Sequence, residues 1–328
     1  MEEAFCCREK RLFSSPDMGW YWDALAAMSA PSGHRAIENG IRNIRMDTVE
    51  EQPKPSRTGK SRFKRLLGSA VRVLIGFYLA LFCFAYFFTD KAIFQPPHSS
   101  YQDTDPRIFK LSSGDGAKIS AVYLPNPKAR YTLLYSHGNA EDIGQNFGTF
   151  KRLHDMGFAV LAYDYRGYGT NPGTPSEANA YGDEEAAYNY LIKDRAVPAD
   201  HIIAIAHSVG CAMAVDLASR RTLGGLITES AFVSADRIVT TIPILPLDTF
   251  QNLTKISRVH CPVLIMHGRQ DAVVPFWHGE RLFAAANEPK RSLWIDGAGH
   301  NDLVEVLGPR YEQALKDFVG RLGAQGEP

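Results

Sequence analysis

The sequence predicts an α/β protein with a mostly parallel, doubly wound sheet, preceded by one apolar segment long enough to cross a membrane. Three observations carry this. From Tyr101 onward, short apolar runs alternate with amphipathic segments, the pattern of strands joined by crossover helices. Leu66 to Phe88 is a sustained apolar run whose only charge is Arg72, and about 20 such residues suffice for a bilayer core of about 30 Å. One strand, Ile202 to Ala206, runs into a helix through a single sharp turn.

The first 65 residues lack sustained periodicity and end in a polar stretch, Glu51 to Lys64, rich in Lys, Arg, Pro and Ser. They are expected to form a disordered basic tail. A start at Met46 would instead leave a short basic leader before the apolar run, the usual form of a targeting n-region. Residues 66–88 read as an uncleaved signal anchor, because Phe82, Phe84, Tyr86, Phe87 and Phe88 occupy the place where a small-x-small cleavage pattern would be needed. Arg72 lies near the N-terminal end, where its guanidinium can snorkel to the headgroups.

Residues 101–328 read as one α/β domain. Ile108 to Leu124 is a hairpin turning at Asp115-Gly116. Strands follow at Tyr131 to Tyr135, Phe158 to Tyr163, Ile202 to Ala206, Gly225 to Thr228, Val263 to Met266 and Ser292 to Ile295. Helices fall at Asp142 to Met156, Glu184 to Ile192, Val209 to Arg220, His278 to Ala286 and Tyr311 to Leu322. In such a fold the C-terminal ends of the strands form the edge that bears a site.

Composition narrows the classes of function. Lys+Arg 36 against Asp+Glu 36 gives a formal net charge of +0, with no basic field for a phosphate backbone, so no nucleic-acid partner is expected. Mean hydropathy is -0.20, which leaves room for one span and excludes a polytopic membrane protein. The five cysteines form no framework: Cys6 and Cys7 adjoin, and Cys83, Cys211 and Cys261 are isolated in apolar segments. No metal or cofactor is expected, since the chain has no HExxH pair, Cys/His ligand spacing, Walker loop or GxGxxG opening a helix after the first strand. Cys6-Cys7 offers an acylation site in the tail.

The chemistry is concentrated at strand ends. Ala206-His207-Ser208-Val209-Gly210 joins a strand directly to a helix, the context of a nucleophile elbow, in which positions two before and two after the serine must be small. Glycine is usual at the first of these, so Ala206 is a departure, and Ser208 read alone is equally a helix N-cap. A serine nucleophile needs a histidine to take its proton and a carboxylate to orient that histidine. Asp271 follows the strand Val263 to Met266, and His300 follows Ser292 to Ile295. The chain order Ser208, Asp271, His300 is the order expected of a triad on this fold. Glu229, at the end of the neighbouring strand, competes with Asp271 for the role of acid.

With these residues in view, 101–323 resembles an α/β-hydrolase. Ser136-His137-Gly138-Asn139-Ala140, Asp164-Tyr165-Arg166-Gly167-Tyr168-Gly169 with Pro175-Ser176-Glu177, and Gly299-His300-Asn301-Asp302 are similar to the Bem46-like group of membrane-anchored serine hydrolases. The resemblance implies Ser208 as nucleophile, His300 as base, Asp271 as orienting acid, and an oxyanion hole at the backbone N–H groups of Asn139 and Val209. His137 is expected to pin its loop, and His207 to serve as core or pocket wall. The insertion between Ser230 and Cys261 is short, a small cap whose Ile242 to Leu247 and Phe250 either pack on the sheet or line an acyl pocket near the membrane.

The expected function is a single-pass, membrane-anchored serine hydrolase acting through an acyl-enzyme on an ester, thioester or amide, with a small acyl or lipid substrate favoured. A serine peptidase and a non-catalytic binding module on the same fold are the alternatives. The fifteen residues before the apolar run hold six basic residues and the fifteen after it only Lys91, so the tail is expected in the cytosol and the catalytic domain in the periplasm or a luminal or extracellular space.

Overall fold

The computed structural model describes residues 59–240 and 248–324. Phe63–Pro328 forms one compact unit. The other, Met1–Arg62, lies almost wholly outside the described residues, as do the expectations placed on the tail, on Met46 and on Cys6-Cys7. Ile242 to Leu247 also lies outside them.

Helix α1 (Gly59–Ile93) contains the apolar run and extends past both ends of it. Lys and Arg are good helix formers and propagation is far easier than nucleation, so the basic residues just before the run are helical rather than part of an irregular tail. Arg62–Phe84 is long and apolar enough to cross a membrane, with a mean hydropathy of 2.0 and none of that window buried. The Arg72 guanidinium turns back one turn, donating from Nε to Gly68 O at 3.1 Å and from Nη2 to Ser69 Oγ at 3.3 Å. The α/β unit begins before Tyr101, because Phe94 is already buried, edge-on to Tyr168 and Phe250.

The remaining elements are β1 (Ile108–Ser112), β2 (Lys118–Leu124), β3 (Thr132–Ser136), α2 (Phe147–Asp155), β4 (Ala159–Tyr163), α3 (Glu177–Lys193), β5 (Ile202–His207), α4 (Gly210–Arg220) and β6 (Gly225–Glu229). They continue with α5 (Asp236–Val239), α6 (Asn252–Ile256), β7 (Val263–Gly268), α7 (Trp277–Ala285), β8 (Lys290–Ile295), α8 (Leu303–Leu307) and α9 (Pro309–Ala324). The strands form one eight-stranded sheet in the order β1-β2-β4-β3-β5-β6-β7-β8. Its first two pairings are antiparallel and the rest parallel. The β1–β2 hairpin closes at Gly116, whose φ of 88° needs a residue without a Cβ.

Alternate residues of the central strands feed two cores. Leu134, Ala204, Leu226 and Ile265 face α3, α4 and α6, whereas Leu133, Ile203, Ile227 and Leu264 face α2 and α9. A sheet covered on both faces explains why its strands read as continuous apolar runs.

Two helix starts differ from the sequence reading by five residues or more, each through a side chain. Helix α2 starts at Phe147 and not at Asp142, because Asp142 caps a loop instead: its carboxylate accepts from Ser100 N at 2.7 Å and Gln145 N at 3.0 Å. Helix α3 starts at Glu177 and not at Glu184, because Ser176 is its N-cap and accepts from Asn179 N.

Candidate active site

The parallel strands end on a common edge, and the elbow stands at its centre. Ser208 follows β5 with a φ of 52°, a left-handed conformation that costs a non-glycine residue about 1–2 kcal/mol. Hydrogen bonds hold it there: Ser208 N donates to Glu229 O at 2.9 Å and Cys211 N donates to Ser208 O at 3.0 Å. The steric demand falls on Gly210, where a Cβ would overlap the carbonyl oxygens of Ser136 and His137. Ala206 is accommodated because its neighbours across the sheet are Ser136 and Thr228, both small.

Two loops at the next strand ends converge on this serine. His300, on the loop after β8, places Nε2 2.8 Å from Ser208 Oγ and Nδ1 2.7 Å from Asp271 Oδ2. Asp271 is buried on the loop after β7, and its Oδ1 accepts from Val273 N at 2.9 Å and Val274 N at 2.7 Å. Burial opposes its charge, but hydrogen bonds from His267 and His300 outweigh that and hold its pKa well below the carboxylate range. Burial lowers the His300 pKa, against the pull of Asp271 and with the push of His207 and His267. The ring is therefore neutral near pH 7 and free to accept a proton. β7 and the His300 loop meet so closely that a Cβ at Gly268 would overlap Ala298 O and Gly299 O.

Glu229 does not face His300. It is buried and its Oε1 accepts from Tyr311 OH at 2.7 Å. His137 is fully buried, with Nδ1 2.7 Å from Gly138 O and Nε2 3.1 Å from Asp164 Oδ1, and its own carbonyl accepts from Tyr165 OH at 2.6 Å. It braces its loop. The Asn139 side chain grips the chain leaving α1: Nδ2 donates to Ile93 O at 2.5 Å, and Oδ1 accepts from Gln95 N at 2.9 Å and Tyr168 OH at 2.6 Å. Among the described residues, no group of three or more His, Cys, Asp or Glu is arranged to hold a metal ion.

Known proteins share this framework. Residues 127–255 match a family model described as serine aminopeptidase, S33. Human alpha/beta hydrolase domain-containing protein 17B is 37% identical over 228 residues, covering 68% of this chain and 78% of that protein. The aho-3 alpha/beta hydrolase domain-containing protein of Caenorhabditis elegans is 34% identical over 272 residues, covering 73% of this chain and 80% of that one. The chain belongs to the α/β-hydrolase superfamily. A Pyrococcus furiosus esterase shares the fold, with a TM-score of 0.59 at 17% identity over 70% of this chain and 97% of its own.

The structure of this hydrolase also brings in residues that the sequence reading left without a role. His267 Nε2 lies 2.9 Å from Val274 O and 3.4 Å from Asp271 Oδ2, so a second imidazole supports that carboxylate. A histidine four residues before Asp271, at the end of β7, was the available signal. Glu141 sits beside the elbow: its carboxylate accepts from Gly138 N and, at 2.9 Å, from Asn146 Nδ2. Nothing in its spacing marks it, because it meets His207 only through the fold.

Proposed function

We propose that the chain is a membrane-anchored serine hydrolase that cleaves acyl esters or thioesters through an acyl-enzyme, with Ser208 as nucleophile, His300 as base and Asp271 as orienting acid. The observation that carries this reading is the unbroken relay from Ser208 Oγ through both nitrogens of His300 to the Asp271 carboxylate. Ser208 Oγ–H donates to His300 Nε2 and gives up its proton as Oγ attacks the acyl carbonyl carbon. The carbonyl oxygen becomes an oxyanion and is received by the N–H groups of Asn139 and Val209, a pair whose loss costs about 3–4 kcal/mol per donor in comparable enzymes. Asp271 stabilises the imidazolium, which then protonates the departing group as the tetrahedral intermediate collapses. A water, deprotonated by the same histidine, hydrolyses the acyl-enzyme.

Placement supports an acyl substrate of the membrane. The apolar side chains of α1 are exposed, a surface far larger than a protein in water leaves uncovered, and a bilayer covers it. Asn139, which supplies an oxyanion N–H in this reading, hydrogen-bonds the last residue of that helix, so the scissile carbonyl is held at the level of the headgroups. The family description favours a peptidase as the second reading. A binding module has no use for the relay. With six basic residues in the fifteen before the apolar run and one in the fifteen after it, the catalytic unit lies on the side away from the cytosol.

The deciding experiment is covalent labelling of the full chain, in detergent micelles, with a fluorophosphonate. Labelling of the wild type and its loss in folded Ser208→Ala are expected. Equal labelling of the variant removes Ser208 as nucleophile.

A further inference from the structure

His207, the residue before the nucleophile, has no part in the proton relay, yet its ring contacts both other loops of the site. Nε2 lies 3.1 Å from the carbonyl oxygen of His300 and Nδ1 lies 3.7 Å from Glu141 Oε1. The first contact requires a proton on Nε2, because a carbonyl only accepts. The second favours one on Nδ1, because a carboxylate also only accepts. Both nitrogens therefore face acceptors, a setting that favours the imidazolium. His300 differs: its Nδ1 faces a carboxylate, but its Nε2 faces a hydroxyl that must donate to it for attack. Two imidazoles with ring centroids 5.2 Å apart thus sit in surroundings that favour different charges.

We infer that His207 and Glu141 form a positioning ion pair that ties together the elbow, the loop bearing Asn139 and the loop bearing His300, and that the His207 charge keeps the catalytic base free of a second proton. The pair rests on the catalytic reading of Ser208 and His300 and extends it to residues outside the relay. Its geometry is tightly specified. The Glu141 oxygen that faces His207 also accepts from Gly138 N, and a Cβ at Gly138 would lie 2.7 Å from His207 Nδ1 and 2.6 Å from Glu141 Oε1. Gly138 is thus the only residue type that lets the pair close over the loop. Ser230 Oγ donates to the same His300 carbonyl at 3.2 Å, so the base is held from two directions.

The groups that face His207 come from three elements: the carboxyls of Glu141 on the Asn139 loop and Glu229 at the end of β6, and the backbone carbonyl of His300 on the loop after β8. Burial works against the imidazolium, but Glu141 outweighs it and, with Glu229, raises the pKa to about 9. Burial likewise opposes the Glu141 carboxylate, and the hydrogen bond and charge of His207 prevail, taking it down to about 2. Glu229 is itself pushed up by burial. His300 faces Asp271, which favours its protonation, and His207 and His267, which oppose it. Removing the His207 charge therefore raises the His300 pKa.

The test uses the full chain in detergent micelles and two readouts. The rate of fluorophosphonate labelling is followed against pH in the wild type and in His207→Gln, which keeps a donor for His300 O and removes the charge. The acidic limb is expected to move up by roughly one pH unit in the variant, a shift of the size a nearby screened charge produces, while the plateau rate changes less than about tenfold. A purely structural role would lower the plateau and leave the limb in place. The second readout is the histidine nuclear magnetic resonance spectrum, where the wild-type His207 ring should keep both protons at pH 8 and lose one below that pH in Glu141→Gln. An unmoved limb in folded His207→Gln overturns the inference, and so does a neutral His207 at pH 7 in the wild type. The second result needs no variant to fold. Retained labelling in Ser208→Ala would count instead against the catalytic reading, so the two failures are distinguishable.

Discussion

Replacing Asp271 by asparagine tests the site at the atom that sets the histidine tautomer. The two oxygens of the native carboxylate do different work: Oδ1 accepts from Val273 N and Val274 N, and Oδ2 faces His300 Nδ1. Asparagine has one acceptor for these two places. The backbone N–H groups are fixed by the loop, so the amide oxygen must take the Oδ1 position and the NH₂ group must face His300. An NH₂ group only donates, so His300 Nδ1 becomes an acceptor and the ring proton moves to Nε2, the atom opposite Ser208 Oγ. A protonated Nε2 cannot take the proton of the serine. The reverse orientation strands two backbone donors at about 1–3 kcal/mol each, which closes that escape. Turnover of a p-nitrophenyl ester by the full chain should fall by about 10⁴, equivalent to about 5.5 kcal/mol at the transition state, as in other triads. The thermal midpoint should change little, since the shape of the side chain is kept. Glu229→Gln is the matched control. Its amide oxygen can still accept from Tyr311 OH, so turnover should fall by less than about tenfold. A small loss at Asp271, or the large loss at Glu229, would refute the assignment of the acid.

Gly210→Ala should destabilise the protein by about 3 kcal/mol, at the high end for overpacking, because the added methyl meets two backbone carbonyls that cannot turn away. A chemical denaturation midpoint checks this, and a neutral result would show that the elbow is looser than its geometry. Membrane orientation is tested by protease protection of a C-terminal tag in sealed cells or vesicles, with any outer membrane permeabilised. The tag should be digested without opening the cytosolic side, and digestion only after that side is opened would reverse the topology drawn from Lys and Arg.

The parts of this fold that could be read in the sequence are those set by local rules. Strand β5 is continuous apolar sequence from Ile202 to Ala206 because both its faces are covered, and such runs identify a buried strand without tertiary knowledge. The elbow was legible for a related reason: a strand and a helix joined through one residue leave room only for small neighbours, so the sequence at 206 and 210 had to record the geometry. The start of α2 was not legible. Asp142 looked like a helix opening, but its carboxylate is used by Ser100 and Gln145, and the partner at Ser100 is remote in the chain. The same reasoning covers Glu141 and His207, which are far apart in sequence and meet only where β3 and β5 lie side by side.

The junction of α1 with the α/β unit shows what local reading leaves out at the site itself. Residues 93–95 fall between the expected anchor and the expected domain, yet they are bonded directly to a loop of the site. Asn139 bonds Ile93 O and Gln95 N, Tyr168 OH accepts from Gln95 N at 3.1 Å, and Phe94 fills the space between Tyr168 and Phe250. Each interaction fixes a residue that would otherwise retain backbone entropy of about 1–2 kcal/mol. In the proposed reading, where the substrate is held in a bilayer, two consequences follow. The helix end and the backbone that would receive the oxyanion cannot move independently, because one asparagine joins them. Binding by Asn139 also spares the site a flexible tether, so in that reading the depth of α1 in a membrane would set the depth at which an acyl bond can be reached.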